Sequence, residues 1–286
     1  MKKTIIILLF FIILFLSSCR STFNYQYPNA NLYTVGEATF SLTEVDKIVI
    51  DWLEGDIIIE GDNNQTKINI SEEIDANTED KFRMHYYLNN RVLDIKFMFS
   101  QKNATHLFII KKLIVLLPSG FDKPIETKAI SAKTDIKNIN SPLTISSVSG
   151  TVNIDNTNTS TLDADLVSGQ FNLSNSAVAT IDIETVSGNI TLSKVNLNDV
   201  TIKGVSSKVN IDFNNQATKC DINTVSGNII LTFPSANTFG FVYTSVSGEI
   251  ACEFAVVIQN SLYIIGNSDN IYHFNTVTGS LNIKKK

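Results

Sequence analysis

The sequence predicts an all-β fold, a single-domain β-solenoid (β-helix-like) of about nine rungs with Val-Ser-Gly corners. Three observations carry this. First, Val-Ser-Gly stands at Val148-Ser149-Gly150 and returns at Val167, Val186, Val225 and Val246, with Val205-Ser206-Ser207 and Val277-Thr278-Gly279 as variants; successive valines are 19, 19, 19, 20, 21 and 31 residues apart. Second, the residues five and three before each valine are apolar, from Leu143 and Ile145 through Ile181 and Ile183 to Tyr272 and Phe274, and so are those four and six after it, from Val152 and Ile154 to Leu281 and Ile283. Offsets of two mark one face of a strand. The valine is expected as a fifth apolar column that breaks the alternation, so that a rung reads strand, corner, strand, with Gly where a corner of positive φ excludes Cβ. Third, one rung has too little apolar surface to offset the ordering of some twenty residues, so stability must come from stacking.

At the start of the chain Lys2 and Lys3 precede the apolar run Ile5–Leu16, which is too short to span a bilayer comfortably, and Leu16-Ser17-Ser18-Cys19 follows. This order resembles a bacterial lipoprotein signal. The resemblance implies cleavage of residues 1–18 and acylation of Cys19, which tethers the remainder to a membrane. Removal of 1–18 leaves 21 basic residues against 28 acidic ones, a net −7. That balance argues against nucleic acid or anionic lipid as a partner. Residues 19–32 are expected to be the lipidated Cys and its tether, because Ser21–Asn31 is polar and without period.

The domain is expected over 33–284, with an irregular part and cap over 33–124 and regular rungs with a C-terminal cap over 125–284. The first rung is carried by Ile48, Ile50, Leu53, Gly55, Ile57 and Ile59, with Trp52 packing beside the Leu53 corner. Residues 72–117 lose the period and predict longer strands at Met84–Leu88, Val92–Phe99 and Lys111–Leu117 around an Asn89-Asn90 turn, with a short helix at Asn77–Phe82, together covering the open end of the stack. Ile125, Ile130 and Ile136 mark a worn rung whose turn reads Ser131-Ala132, with Thr127 and Thr134 in two inward columns. Cys220 and Cys252 fall in different inward columns of neighbouring rungs and are read as buried small hydrophobes, not a disulfide. Phe254–Ile258 and Leu262–Ile265 are read as a capping hairpin before the final rung Tyr272–Ile283, whose entry could slip by one because Ile271 adjoins Tyr272.

Trp52-Leu53-Glu54-Gly55-Asp56-Ile57, the Leu117-Pro118 exit and the rungs Thr185–Ile190 and Thr224–Ile229 resemble the bacterial putative-adhesin domains of β-strand repeats, a family of unknown function, over about residues 33–284. Ser207 for Gly and Thr278 for Ser depart from the pattern. The resemblance implies a cell-envelope protein, in some members linked with envelope stress.

The chemistry is sparse. Outward columns place Asp163, Asp165, Asp182 and Glu184 on adjacent rungs, which is a solvated face, a cation site (weak candidates Asp163, Asp182 and Glu184) or a pair of catalytic carboxylates. The solvated face is preferred, because a catalytic pair needs a carboxyl of raised pKa in a cleft. His85, His106 and His273 share no metal spacing, the Val-Ser-Gly serines are turn residues, and Asn153, Asn172, Thr191 and Asn210 form a partial structural ladder. The expectation is a non-catalytic, exported lipoprotein without cofactor, held to a membrane through Cys19 and binding a glycan, protein or peptide or acting as a scaffold. The alternatives are an envelope-stress-associated structural protein and a β-helix polysaccharide-modifying enzyme using Asp163, Asp182 or Glu184.

Overall fold

The computed structural model describes residues 22–105 and 111–286; the signal segment, Cys19 and His106 lie outside them. The repeat is a parallel ladder whose register matches the sequence columns. Leu143 lies beside Leu162, Ile145 beside Ala164, Val152 beside Phe171 and Ile154 beside Leu173. The worn rung fits as well: Ile125 pairs with both Ile48 and Leu143, and Ala132 meets Gly55. The final rung enters without a slip, because Phe241 pairs with Tyr272, which is buried, while Ile271 stays exposed.

The valine column does not point inward. Val186, Val205, Val225, Val246 and Val277 are all exposed, and the inward position is the residue before each, held by Trp52, Ala129, Ser147, Leu166, Thr185 and Thr224 in their rungs. Strand parity explains this, since five, three and one before the valine share a face and the valine cannot.

The corner glycines are required chiefly by close stacking. A Cβ at Gly150 would lie 2.3 Å from the Ala132 carbonyl oxygen, and one at Gly227 would lie 1.9 Å from that of Ser207. Positive φ adds to this at Gly55, Gly169 and Gly227 only among the corner glycines. Ser207 is tolerated because its own rung has Gly204 one before the valine, where a Cβ would meet the Ser207 Oγ at 1.9 Å. The serine side chain occupies the interior space that Thr185 fills in the neighbouring rung.

A third side, absent from the sequence reading, closes the coil. After the second limb the chain turns through Asn138, Asn156, Asn175 and Lys194, all left-handed at φ 56, 50, 49 and 54. It then buries Ile139 and Ser141, Thr157 and Thr159, Ser176 and Val178, and Val195 and Leu197 in successive layers. The serines and threonines are inside because the backbone satisfies them: Thr159 donates to the Ser141 carbonyl at 2.8 Å and Ser176 to that of Ser174 at 2.6 Å.

Both ends depart from sequence order. Val92–Lys96 pairs parallel with residues 47–51, and Lys112–Pro118 pairs parallel with residues 56–62. The irregular segment is thus a layer of the coil, additional to the nine counted, whose corner is lengthened so that Leu93 and Leu113 stand where Ile48 and Ile57 stand next door. Antiparallel strands Ile68–Glu73 and His85–Asn89 close this layer, and the short helix is a 3-10 turn at Asp80–Phe82. At the other end the strands Ile271–Asn275 and Leu281–Lys285 insert between the 219–233 layer and the 239–252 layer. The expected hairpin forms from Val257–Gln259 and Leu262–Ile265, and its second strand covers Phe239–Val242. Cys220 and Cys252 are free thiols; Cys220 is buried as expected, but Cys252 is only half-buried, and the inserted 271–285 layer separates its layer from that of Cys220. The expected spacer is partly docked: Thr22–Tyr25 pairs with Gln101–Thr105, and the Tyr25 hydroxyl donates to the Asp51 carbonyl at 3.2 Å.

The Trp-x-x-Gly phrase surrounds a buried ion pair. Lys111 and Glu72 are both fully buried and 3.2 Å apart. The Lys111 Nζ also donates to the carbonyls of Phe82, at 3.0 Å, and Phe97, and lies 4.8 Å from the Trp52 ring centroid. A Cβ at Gly55 would sit 2.2 Å from the Lys111 carbonyl oxygen. Burial pushes the Lys111 amine down to about 8 against the opposing pull of Glu72.

Lys194→Asn, which suits the left-handed turn, raises stability by about 0.5–1 kcal/mol in urea unfolding, whereas Gly227→Ala lowers it; equal midpoints would refute the corner argument. Lys111→Met strands the Glu72 charge and costs about 3–5 kcal/mol. Because the folded chain releases the Lys111 proton before the unfolded chain does, wild-type stability relative to that variant rises as pH climbs from about 8 toward the unfolded lysine range near ~10.4.

Candidate functional site

The ladder brings the four predicted acids together on the outer face of the first limb. Asp163 lies directly beside Asp182 and Asp165 beside Glu184. Strand register alone causes this, because equivalent outward positions of adjacent layers sit one ladder spacing apart. Elsewhere on this limb three acids are each paired with lysine. Glu126 is held by Lys47 at 2.6 Å and Lys128 at 2.7 Å, Asp221 by Lys219 at 3.2 Å, and Asp51 by Lys96 at 3.4 Å. Within the patch only Glu184 has one, the Lys203 Nζ at 2.6 Å from its Oε1. Lys203 stands in the same outward column as Asp165 and Glu184, as Lys128 does further along the stack.

Asp165 and Asp182 are strained electrostatically. Partial burial, then the charges of Glu184, Asp182 and Asp163, raise Asp165 above the usual carboxylate range. Asp182 is raised first by burial and further by Glu184 and Asp163, against the lowering effect of Lys203. Its Oδ1 is buried without a hydrogen-bond partner. Two carboxyls of raised pKa are therefore present, contrary to the expectation from sequence, but on a sheet face. Among the described residues no three His, Cys, Asp or Glu side chains are grouped to hold a metal ion. His85 is buried and its Nδ1 lies 2.9 Å from the Arg83 carbonyl oxygen, far in the fold from His273, which pairs beside Asp221 and Val242.

The second limb carries the amide ladder. The Asn172 Nδ2 donates to the Asn153 Oδ1 at 2.9 Å, and the Asn153 Nδ2 donates to the Asp135 Oδ1 at 2.7 Å. A parallel file runs along the next corner, where the Asn156 Nδ2 donates to the Asn138 Oδ1 at 2.7 Å and that of Asn175 to the Asp155 Oδ1 at 2.8 Å.

The Toastrack DUF4097 family model matches residues 45–284, which span this stacked ladder. The chain belongs to the Toastrack DUF4097 family. Its fold is similar to a crystal structure of a putative adhesin from Parabacteroides distasonis, at 14% identity and a TM-score of 0.51 over 87% of this chain and 97% of that one. A putative cell adhesion protein from Clostridium sporogenes is also similar, at 12% identity and a TM-score of 0.30 over 89% of this chain and 100% of that one. No curated protein matches this Toastrack chain.

In this Toastrack domain Asp165→Asn removes a like-charge contact directly opposite Glu184. Stability at pH 7 should rise by about 0.2–1 kcal/mol. The gain should vanish on acidification through the raised pKa of Asp165, where the wild-type chain takes up its own proton. Thermal melts of both proteins across that range check this, and an unchanged difference would show that the patch is already compensated.

Proposed function

We propose that this Toastrack chain is an exported envelope protein, anchored through lipid on Cys19, that acts as a non-catalytic, adhesin-like binding or scaffold module. The observation that carries the reading is the outer face of the second limb. There Asp135, Asn153 and Asn172 are linked in file, each amide held by its neighbour, at the fixed repeat of the ladder. Such a face offers a regular series of polar groups on a rigid backing, suited to a glycan, protein or peptide with a matching repeat. The basic start, short apolar run and Leu-x-x-Cys order of residues 2–19 support the anchor. The name of the Parabacteroides distasonis structure, a putative adhesin, agrees with a binding role, as analogy at the level of fold.

One observation favours a second reading, a carbohydrate-active enzyme: the raised carboxyl of Asp182 beside Asp163 and Glu184. The flat setting weighs against it, since neither water exclusion nor a cleft sets the two carboxyls apart in role. A structural part in envelope stress remains the third.

Protease treatment of intact cells, read by mass spectrometry, tests the leading reading. Peptides from residues 125–286 should be released from intact cells, and Cys19→Ala should leave the membrane fraction and lose the mass of the lipid. Protection until the envelope is broken would favour an internal scaffold, and unchanged fractionation and mass in the variant would remove the anchor. Turnover of envelope glycans that disappears in Asp182→Asn would transfer the assignment to the enzyme.

A further inference from the structure

The last layer of the coil is closed on one limb and open on another. Its first limb, Phe239–Thr244, is covered by the antiparallel strand Leu262–Ile265. Its second limb, Ile250–Cys252, pairs only with residues 281–283 among the described residues. At the opposite end both limbs are covered, Val92–Lys96 by His85–Asn89 and Lys112–Pro118 by Ile68–Glu73, each antiparallel.

The free side of Ile250–Cys252 carries unspent backbone groups. In a parallel ladder a residue aims both its N–H and its C=O at one neighbour, and the next residue aims both the other way. The Leu281 N–H donates to the Glu249 carbonyl and the Glu253 N–H to the Ile283 carbonyl, both at 2.9 Å. Glu249, Ala251 and Glu253 therefore face the neighbour, while Ile250 and Cys252 face the open side. Their side chains agree. The equivalent residues Ile229, Leu231, Leu281 and Ile283 are fully buried, whereas Ile250 and Cys252 are half-buried. Val246 at 82%, Ile258 at 61% and Val257 at 59% are the most exposed large hydrophobics described, and all adjoin this end.

We propose that this edge is a docking site for an extended peptide segment of a partner protein. The segment adds antiparallel beside Ile250–Cys252, with apolar side chains over the open end of the core and basic side chains on the outer face. Charge selects this occupant over a second copy of the chain. Glu249 and Glu253 are both exposed on the outer face, so two copies of this edge paired antiparallel would set Glu249 against Glu253 twice. A strand with Lys or Arg at those positions would instead be attracted. The site is separate from the lateral face, and neither reading depends on the other.

Hydrogen exchange of the full chain, resolved at residues 249–253, tests the proposal with a short, end-capped peptide of alternating Lys and Val. Saturable binding should slow exchange at Ile250 and Cys252 by about tenfold or more. The same peptide N-methylated at alternate residues should not protect, a control that leaves the protein unaltered. A Glu249→Lys, Glu253→Lys variant, shown to melt as the wild type does, should lose the effect and respond to a Glu-Val peptide instead. Unchanged exchange at these two amides under saturating peptide would overturn the proposal. So would protection that grows with protein concentration alone, which would assign the edge to a second copy.

Discussion

Stacking in register is the constraint on which the rest of this structure depends. Every layer lies directly on its equivalent, so each side chain must tolerate its own kind one ladder spacing away. At the corner the tolerance is steric. The carbonyl of one layer occupies the place of the next layer's Cβ, so Gly150, Gly169 and Gly227 are excluded from having one. Where Ser207 breaks the column, Gly204 gives up its side chain in the same rung, and the interior volume is conserved. On the outer faces the tolerance is electrostatic. An amide is self-complementary, with a donor and an acceptor on one group, so asparagines can chain from Asn172 to Asn153 and from Asn156 to Asn138. A carboxylate only accepts. Asp163 on Asp182 and Asp165 on Glu184 therefore accumulate a cost that Lys203, ion-paired with Glu184, relieves only in part.

A ladder also has two ends, and the chain treats them by doubling back. The 92–118 layer lies beyond the layer that precedes it in sequence, and the 271–285 layer slides between two that are already joined by chain. Each end then finishes in a segment that can turn antiparallel, which a simple progression of rungs could not supply. At the first end Lys111, which leads into Lys112–Pro118, is gathered inward with Glu72 under the ring of Trp52. The Trp and Gly of the family phrase thus belong to the same construction: one covers the cation and the other lets its carbonyl pass.

The sequence revealed whatever repeats with apolar contrast. The four flanking columns, the rungs at 48–59 and 125–136, the buried Cys220 and the stacked acids all stand as periodicity places them. What it concealed falls into three physical classes. The outward valines were hidden because a spacing that repeats at a corner looks like a core column, and only strand parity, counted from Ile145 through Ser147, places them outside. The third side was hidden because its inward residues include Ser141, Thr157, Thr159 and Ser176, whose burial is satisfied by backbone carbonyls that a hydropathy pattern does not contain. The exchanged order of layers at both ends leaves no local mark at all, since Leu93 and Tyr272 have the same pattern whichever neighbour they meet.

These two properties, self-complementary faces and differently treated ends, also divide the surface by the kind of recognition it can perform. On the lateral faces the amide files bind to themselves first, so an incoming group meets carbonyls and amides whose strongest partners are already beside them. Recognition there is a matter of repeat and shape, with modest gain at each step and affinity only through length. At the open limb the situation is reversed. The backbone groups of Ile250 and Cys252 have no such partner within the described ladder, and the apolar side chains next to them are covered on one side only. A short segment can gain there from hydrogen bonds and burial together, because the ladder beneath has already fixed the geometry that the added strand must adopt. A solenoid of this kind thus separates extended, low-energy contact along its sides from compact, directional contact at one end.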